Sequence, residues 1–261
     1  LYLALGYAIP KFAHLPMILG PDKTRLSKRH GATSVTAYRE MGYLPEALVN
    51  YLVRLGWSYK DQEIFTLAEL IEKFSLESVG TSASVFNPDK LLWLNSQWIA
   101  HMEIPEVIRR LRPYLEKEGL IQADSALDEV WMSKVILSLR ERCRTMVEMA
   151  SASGYFFREE IEMDPEAKTK VLTPEAVPVL QKILSGLQGI PALTHEAVEG
   201  LFKAVMAESG LKMGQVAQPV RVALTGRTVS PGIYEVIEIL GRDKTLKRID
   251  RAIRIIQNEK G

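Results

Sequence analysis

The sequence predicts a mostly α protein, and three observations lead there. Apolar residues recur three and four positions apart along most of the chain. Ser, Thr, Asn or Pro precede those runs, and Gly often closes them. Strand-like stretches are short and lie only near residues 15–19 and 156–157.

Each element has its own signal. Leu1, Leu3, Leu5 and Ile9 form a helix-like apolar run. Thr33 or Ser34 can cap a helix that Gly42 ends. Pro45 suits a first helical turn, and Ala47, Leu48, Tyr51, Leu52 and Leu55 make one face before Gly56. Thr66 and Glu69 form a capping box ahead of Leu70, Ile71 and Phe74. Asn87 and Pro88 open a helix carrying Leu91, Leu94 and Trp98. Pro105 opens another through Ile108, Leu111 and Leu115 to Gly119. The longest predicted helix covers residues 125–149. Thr173-Pro174 and Thr194 start two more, the second ending at Gly210. Residues 214–225 carry Val216, Val220 and Leu224 on one side. Ser230-Pro231 begins a helix that stops at Gly241, and residues 243–257 form the last.

A length of 261 residues suggests two domains or three small ones. Residues 164–172 are polar, contain Pro165, and read as a linker; a weaker boundary falls at 102–105. No stretch approaches the ~18 apolar residues of a membrane span. Cys143 is the only cysteine, so no intrachain disulfide can form and a reducing compartment is expected. The four histidines share no metal-ligand spacing with it or with one another, so no metal is expected. The net charge of +1 hides an uneven distribution. Residues 1–35 carry +4, residues 36–200 carry −8 and residues 201–261 carry +5. Basic ends suit a polyanionic partner; solvated helix faces account for the same imbalance.

The chemistry concentrates first in residues 20–31. Lys23, Arg25, Lys28, Arg29 and His30 crowd into a turn-rich loop, where cationic groups can neutralise charge developing on a phosphate. The loop is not a P-loop, because the glycine spacing and terminal Gly-Lys-Ser/Thr are missing. Arg25-Leu26-Ser27-Lys28-Arg29, followed by His30-Gly31-Ala32, resembles the KMSKS signature of class I aminoacyl-tRNA synthetases, in the variant of the glutamyl-tRNA synthetases. Further segments resemble that family in order: residues 47–58, residues 86–95, Arg140-Glu141-Arg142-Cys143-Arg144-Thr145, residues 218–226 and Ser230-Pro231-Gly232.

The resemblance implies a glutamate–tRNA ligase, which activates L-glutamate with ATP and Mg²⁺ and transfers it to tRNA(Glu). It implies a stem-contact domain followed by an all-helical two-part anticodon-binding domain. Residues 1–103 would hold the end of the catalytic domain with the signature loop and the stem-contact domain. Residues 104–167 and 168–261 would be the two anticodon-binding subdomains. In that family the second signature lysine, here Lys28, stabilises the triphosphate. Arg25 replaces the first lysine, keeping charge but changing donor geometry. Ser27 would hold the loop, Arg29 fills the final position, and His30 would contact ATP. The HIGH-type tetrapeptide and the glutamate-seating residues of the family are not in this sequence. It is therefore expected to be a C-terminal portion, inactive alone. A cytoplasmic monomer is expected by the same analogy. The alternative reading is a stand-alone tRNA-binding or scaffold module.

By the same resemblance Arg221 is the anticodon-contacting arginine, and Gln218, Ser230, Pro231 and Ile233 line its pocket. Arg140, Arg142 and Arg144 match the segment that reads the first anticodon position. Helical spacing would put Arg140 and Arg144 on one face, and Arg142 is taken as the reader. Ion pairs with Glu141 or Glu148 are the competing role for these arginines. Trp57, Trp93, Trp98 and Trp131 are read as core, as are Tyr155, Phe156 and Phe157.

Overall fold

The computed structural model describes residues 1–27 and 34–258, so Lys28, Arg29 and His30 lie outside the described residues. Twelve α-helices and one two-stranded sheet form among the described residues, as the mostly α reading expects. Among the described residues no helix is long and apolar enough to cross a membrane. The chain divides into two compact units, Leu1–Met102 with Arg144–Val147, and Glu103–Cys143 with Glu148 onward.

In the first unit β1 (Ile18–Leu19) pairs in parallel with β2 (Ser84–Val85), Ile18 opposite Ser84. The helices are α1 (Val35–Glu40), α2 (Pro45–Arg54), α3 (Leu67–Lys73) and α4 (Pro88–His101). Each expected cap forms. Ser34 accepts from the Ala37 amide, Thr66 and Glu69 close their box, and Asn87 accepts from the amides of Asp89 and Lys90. Leu48, Tyr51, Leu55, Phe86, Leu91 and Leu94 make one core cluster, and Trp57, Phe65 and Leu70 make another. Burial obliges its polar groups to pair. Asn50 accepts from the Phe65 amide at 2.9 Å and donates to the Glu63 carbonyl at 3.0 Å. Asn95 accepts from the Leu44 amide at 2.8 Å and donates to the Arg144 carbonyl at 2.6 Å.

The second unit contains α5 (Ile104–Lys117), α6 (Glu129–Leu139), most of α7 (Met146–Phe157), α8 (Pro165–Val171), α9 (Val177–Gly189), α10 (His195–Ser209), α11 (Met213–Thr225) and α12 (Ile233–Asn258). Helix α12 breaks at Gly241 (φ 74°, ψ 174°), where the sequence predicted one helix to stop. Leu180, Ile183, Phe202, Val220, Leu224, Ile237 and Ile249 are fully buried where α9, α10, α11 and α12 pack together. The Trp131 indole on α6 donates to the Ile239 carbonyl on α12 at 3.0 Å.

The structure corrects several expectations. The apolar run of Leu1, Leu3 and Leu5 makes turns only and is exposed. The single helix predicted over residues 125–149 is two, because residues 140–145 turn. The Arg142 and Cys143 amides both bond back to the Leu139 carbonyl there. Residues 156–157 end a helix rather than form a strand. The polar stretch 164–172 is mostly helix α8, whose first turn is capped by Asp164 accepting from the Ala167 amide at 2.7 Å. Trp57 is core. Trp98 and Trp131 are half-buried, and Trp93 is 40% exposed with the Lys90 ammonium 4.0 Å from its ring centroid.

One buried cation organises the second unit. Arg248 on α12, 3% exposed, donates to the Leu224 carbonyl at 2.6 Å, to the Tyr155 carbonyl at 2.8 Å and to the Arg158 carbonyl at 2.5 Å. These carbonyls end α11 and α7, where a helix has no partners of its own. Beside them Gly226 (φ 74°) ends α11, and its carbonyl accepts from the Asp164 amide at 2.9 Å. A Cβ at position 226 would lie 2.2 Å from the Glu162 carbonyl oxygen, so only glycine fits. Arg248→Met keeps the aliphatic stem but orphans three carbonyls, two of them in buried contacts. It should cost about 3 kcal/mol or more, against under about 0.5 kcal/mol for exposed Lys247→Ala, read from urea unfolding midpoints.

Candidate functional site

The signature loop is described up to Ser27. After β1 the chain reverses through residues 20–24. The Gly20 amide donates to the Thr24 carbonyl at 2.8 Å, and Thr24 Oγ1 donates to Asp22 Oδ1 at 2.8 Å. Lys23 takes a left-handed φ of 60° at the tip. Arg25 then bridges back to Leu19, and the Leu26 amide bonds the Ile18 carbonyl at 3.0 Å. The backbone of this pedestal is held to β1, with the Arg25 side chain exposed and Ser27 half-buried.

The second set of predicted residues gathers in the second unit, around Arg221 on α11. One terminal nitrogen of its guanidinium donates to the Ser230 carbonyl at 3.2 Å, to the Pro231 carbonyl at 2.7 Å and to the Ser230 hydroxyl. Ser230 Oγ donates in turn to the Pro231 carbonyl at 2.9 Å. Ser230 therefore serves Arg221 rather than capping α12. Gly232, whose carbonyl accepts from the Val236 amide, takes the cap position. Pro231 and Ile233 are buried, Ile233 at 3% exposure.

Among the described residues five buried polar atoms of this unit have no hydrogen-bond partner; Thr245 Oγ1 and Arg248 Nε are two, and the other three are Arg221 Nε, Gln218 Oε1 and the Tyr155 hydroxyl. Gln218 and Arg221 stand three residues apart on α11, hence on one face. The electrostatics bring Tyr155 to the same place. Burial raises its phenol above the ordinary value, with Glu235 adding to the rise and Arg221 and Arg227 opposing it. Burial, and then the charge of Arg142, lower the Arg221 guanidinium. Glu235 is raised by burial against the pull of Arg142. Arg142, Tyr155, Arg221 and Glu235 thus share one electrostatic neighbourhood.

Of the three candidate arginines, Arg142 is exposed at the turn between α6 and α7 and lies in this neighbourhood. Arg140 ends α6, and Arg144 falls in the other compact unit. They do not share a helix face, because residues 140–145 are not helical. Burial pushes the Cys143 thiol up to about 12, so it is a neutral packing group rather than a nucleophile. Tyr155 and Glu235 were missed by sequence reasoning. Tyr155 is embedded beside Phe156 and Phe157 and reads as packing. Its distinguishing signal is the hydroxyl, which a buried tyrosine ordinarily pairs.

Buried donors and acceptors left open in this way fit a ligand with hydrogen-bonding edges, set beside cations suited to phosphates. Comparison with known proteins agrees with that chemistry. Residues 1–93 match the family model described as "tRNA synthetases class I (E and Q), catalytic domain", and residues 106–253 match "Anticodon binding domain". These matches place the chain in the family of class I aminoacyl-tRNA synthetases that carry an anticodon-binding domain.

Within that class, the glutamate–tRNA ligase of Thermodesulfovibrio yellowstonii is 53% identical over 97% of this chain and 54% of its own length. That of Syntrophobacter fumaroxidans is 51% identical over the whole chain and 55% of its own length. A crystal structure of a glutamate tRNA ligase from Elizabethkingia meningosepticum, in complex with its amino acid, superposes with a TM-score of 0.83. It is 28% identical over 98% of this chain and 53% of its own. The chain belongs to the glutamate–tRNA ligase family, and it spans about half the length of the curated relatives it matches.

The orphaned hydroxyl has a consequence for stability. Tyr155→Phe removes a buried group that gains nothing in the free protein. It should leave the urea midpoint unchanged or raise it by up to about 1 kcal/mol, whereas Phe156→Ala should cost about 3–5 kcal/mol.

Proposed function

We propose that this chain is the tRNA-binding part of a glutamate–tRNA ligase. The whole enzyme would use ATP, with Mg²⁺ accompanying it, to attach L-glutamate to tRNA(Glu), as a monomer in the cytoplasm. The domain layout proposed is the one read from the sequence: catalytic end and stem-contact domain in residues 1–103, then anticodon-binding subdomains in 104–167 and 168–261. The division between compact units after Met102 supports the first boundary.

The observation that carries the anticodon reading is the orphaned trio of Arg221 Nε, Gln218 Oε1 and the Tyr155 hydroxyl beside a clamped guanidinium. A donor and an acceptor on one helix face match the edge of a splayed base, where an acceptor and an N–H stand side by side. Ser230 and Pro231 aim Arg221. Ile233 is buried at this end of α12, and Arg142 adds charge for the first anticodon position. In the signature loop Lys28 would meet the triphosphate of ATP, with Arg25 and Arg29 adding charge, Ser27 holding the backbone and His30 reaching ATP. Preorganised cations at that point stabilise the charge that moves to the leaving pyrophosphate. This span alone holds no HIGH-type tetrapeptide and is proposed not to form glutamyl-tRNA unaided.

A binding titration of the chain with tRNA(Glu), tRNA(Gln) and an unrelated tRNA over a salt series tests the reading. Arg221→Ala should weaken tRNA(Glu) binding by about 1–3 kcal/mol, and Lys247→Ala only by its share of the salt dependence. Equal losses from both would reduce Arg221 to general phosphate attraction. In the whole enzyme Lys28→Ala should cripple ATP–pyrophosphate exchange while leaving tRNA affinity nearly intact; surviving exchange would remove Lys28 from the chemistry.

A further inference from the structure

A separate cleft of about 290 Å³ opens between the end of α7 and the loop after α11. Gly154, Tyr155, Arg158, Glu162, Asp164 and Arg227 contribute to its wall. Its frame is fixed on both sides. Arg248 holds the carbonyls of Tyr155, Arg158 and Leu224, and the Gly226 carbonyl is bonded to the Asp164 amide. The Arg158 guanidinium folds over Gly154, its carbon 3.9 Å from where a Cβ would stand. Among the described residues the side chains of Arg158, Arg227 and Glu162 have neither an ion pair nor a hydrogen bond. Asp164 is already engaged in capping α8.

This lining is mixed in sign, and that selects the occupant. Two free guanidiniums suit a phosphate. A bare phosphate would also meet the Glu162 carboxylate, which calls for a hydrogen-bond donor. A nucleotide supplies both, a phosphate at one end and an exocyclic amine on cytosine, adenine or guanine at the other; uracil lacks the amine. The cleft also neighbours the Arg221 clamp. Thr225, one helical turn along α11, donates to the Arg221 carbonyl at 2.8 Å, and Arg227 follows two residues later.

We propose that this cleft takes a second unstacked nucleotide of the tRNA, one bearing an exocyclic amine, adjacent on the strand to the nucleotide met by Arg221. Glu162 accepts from the amine while Arg158 and Arg227 hold the phosphate. The inference rests on the anticodon-arm reading above.

The test uses tRNA(Glu) transcripts in which each non-uridine nucleotide of the anticodon loop is changed to uridine in turn. Dissociation constants are measured for the chain and for Glu162→Gln, Arg227→Ala and Arg221→Ala at one salt concentration. Glu162→Gln should weaken binding of unaltered tRNA(Glu) about fivefold. That loss should vanish for the transcript altered at one loop position and persist for the others. Arg227→Ala should weaken every transcript about equally, as a phosphate contact does. Tighter binding by Glu162→Gln would show that its carboxylate only repels the RNA and would overturn the proposal. So would a Glu162→Gln loss that is the same for all transcripts, or neutrality of both variants while Arg221→Ala still weakens binding. If Arg221→Ala is neutral as well, the anticodon-arm reading falls and this one with it.

Discussion

The second unit depends on a charge placed where charges are costly. Arg248 lies 3% exposed among helices, with no carboxylate among the described residues bonded to it, and takes its compensation from three main-chain carbonyls. The ends of α7 and α11 leave open carbonyls, and those of Tyr155 and Leu224 meet Arg248 in buried contacts. A single guanidinium, with five donors in a rigid fork, satisfies these carbonyls at once. Burial lowers its pKa, yet an arginine starts far enough above neutrality to remain charged. A lysine would have fewer donors and a proton more easily lost. The relative placement of Tyr155, Arg158 and the end of α11 follows from this contact. With it comes the geometry of the Arg221 cluster.

Much of the fold is legible in the sequence because helix punctuation is local chemistry. Ser34, Thr66, Asn87 and Thr194 cap the helices that they precede, and Gly210, Gly226 and Gly241 stand in left-handed conformations where helices end or break. Two misreadings have a common cause. At residues 140–145 and 164–172 periodicity and polarity alone do not decide the structure. In the first, tertiary contacts interrupt a helix, and the Arg144 carbonyl is given to Asn95. In the second, a solvent-facing helix needs few apolar residues once Asp164 caps it. Arg142, Gln218, Arg221, Ser230 and Pro231 were legible only through family resemblance. Tyr155 and Glu235 were not legible, because nothing local distinguishes a buried phenol with a partner from one without.

Net charge proves a weak guide to where an anion would bind. The basic excess of residues 201–261 includes Arg242, Lys244 and Arg248, and each of these donates to main-chain carbonyls. They act as helix-end caps made of side chains rather than as an exposed electropositive field. Part of the acidic middle is likewise absorbed locally. Glu106 pairs with Arg109 and Arg110, which hold its carboxyl at about 2, and Glu166 pairs with Lys170. Exposed pairs of this kind contribute little stability, so the charge pattern mainly reports helical surfaces.

The clamp on Arg221 also bears on time. Its guanidinium is frozen by the Ser230 and Pro231 carbonyls when the chain folds, and a long side chain otherwise loses rotamer freedom on meeting a ligand. Here that ordering precedes any encounter. A partner that engages the open Nε meets a preset donor, and the gain appears chiefly as longer residence rather than faster capture. Arg142, exposed in the same electrostatic neighbourhood, stays open to solvent and to screening by salt.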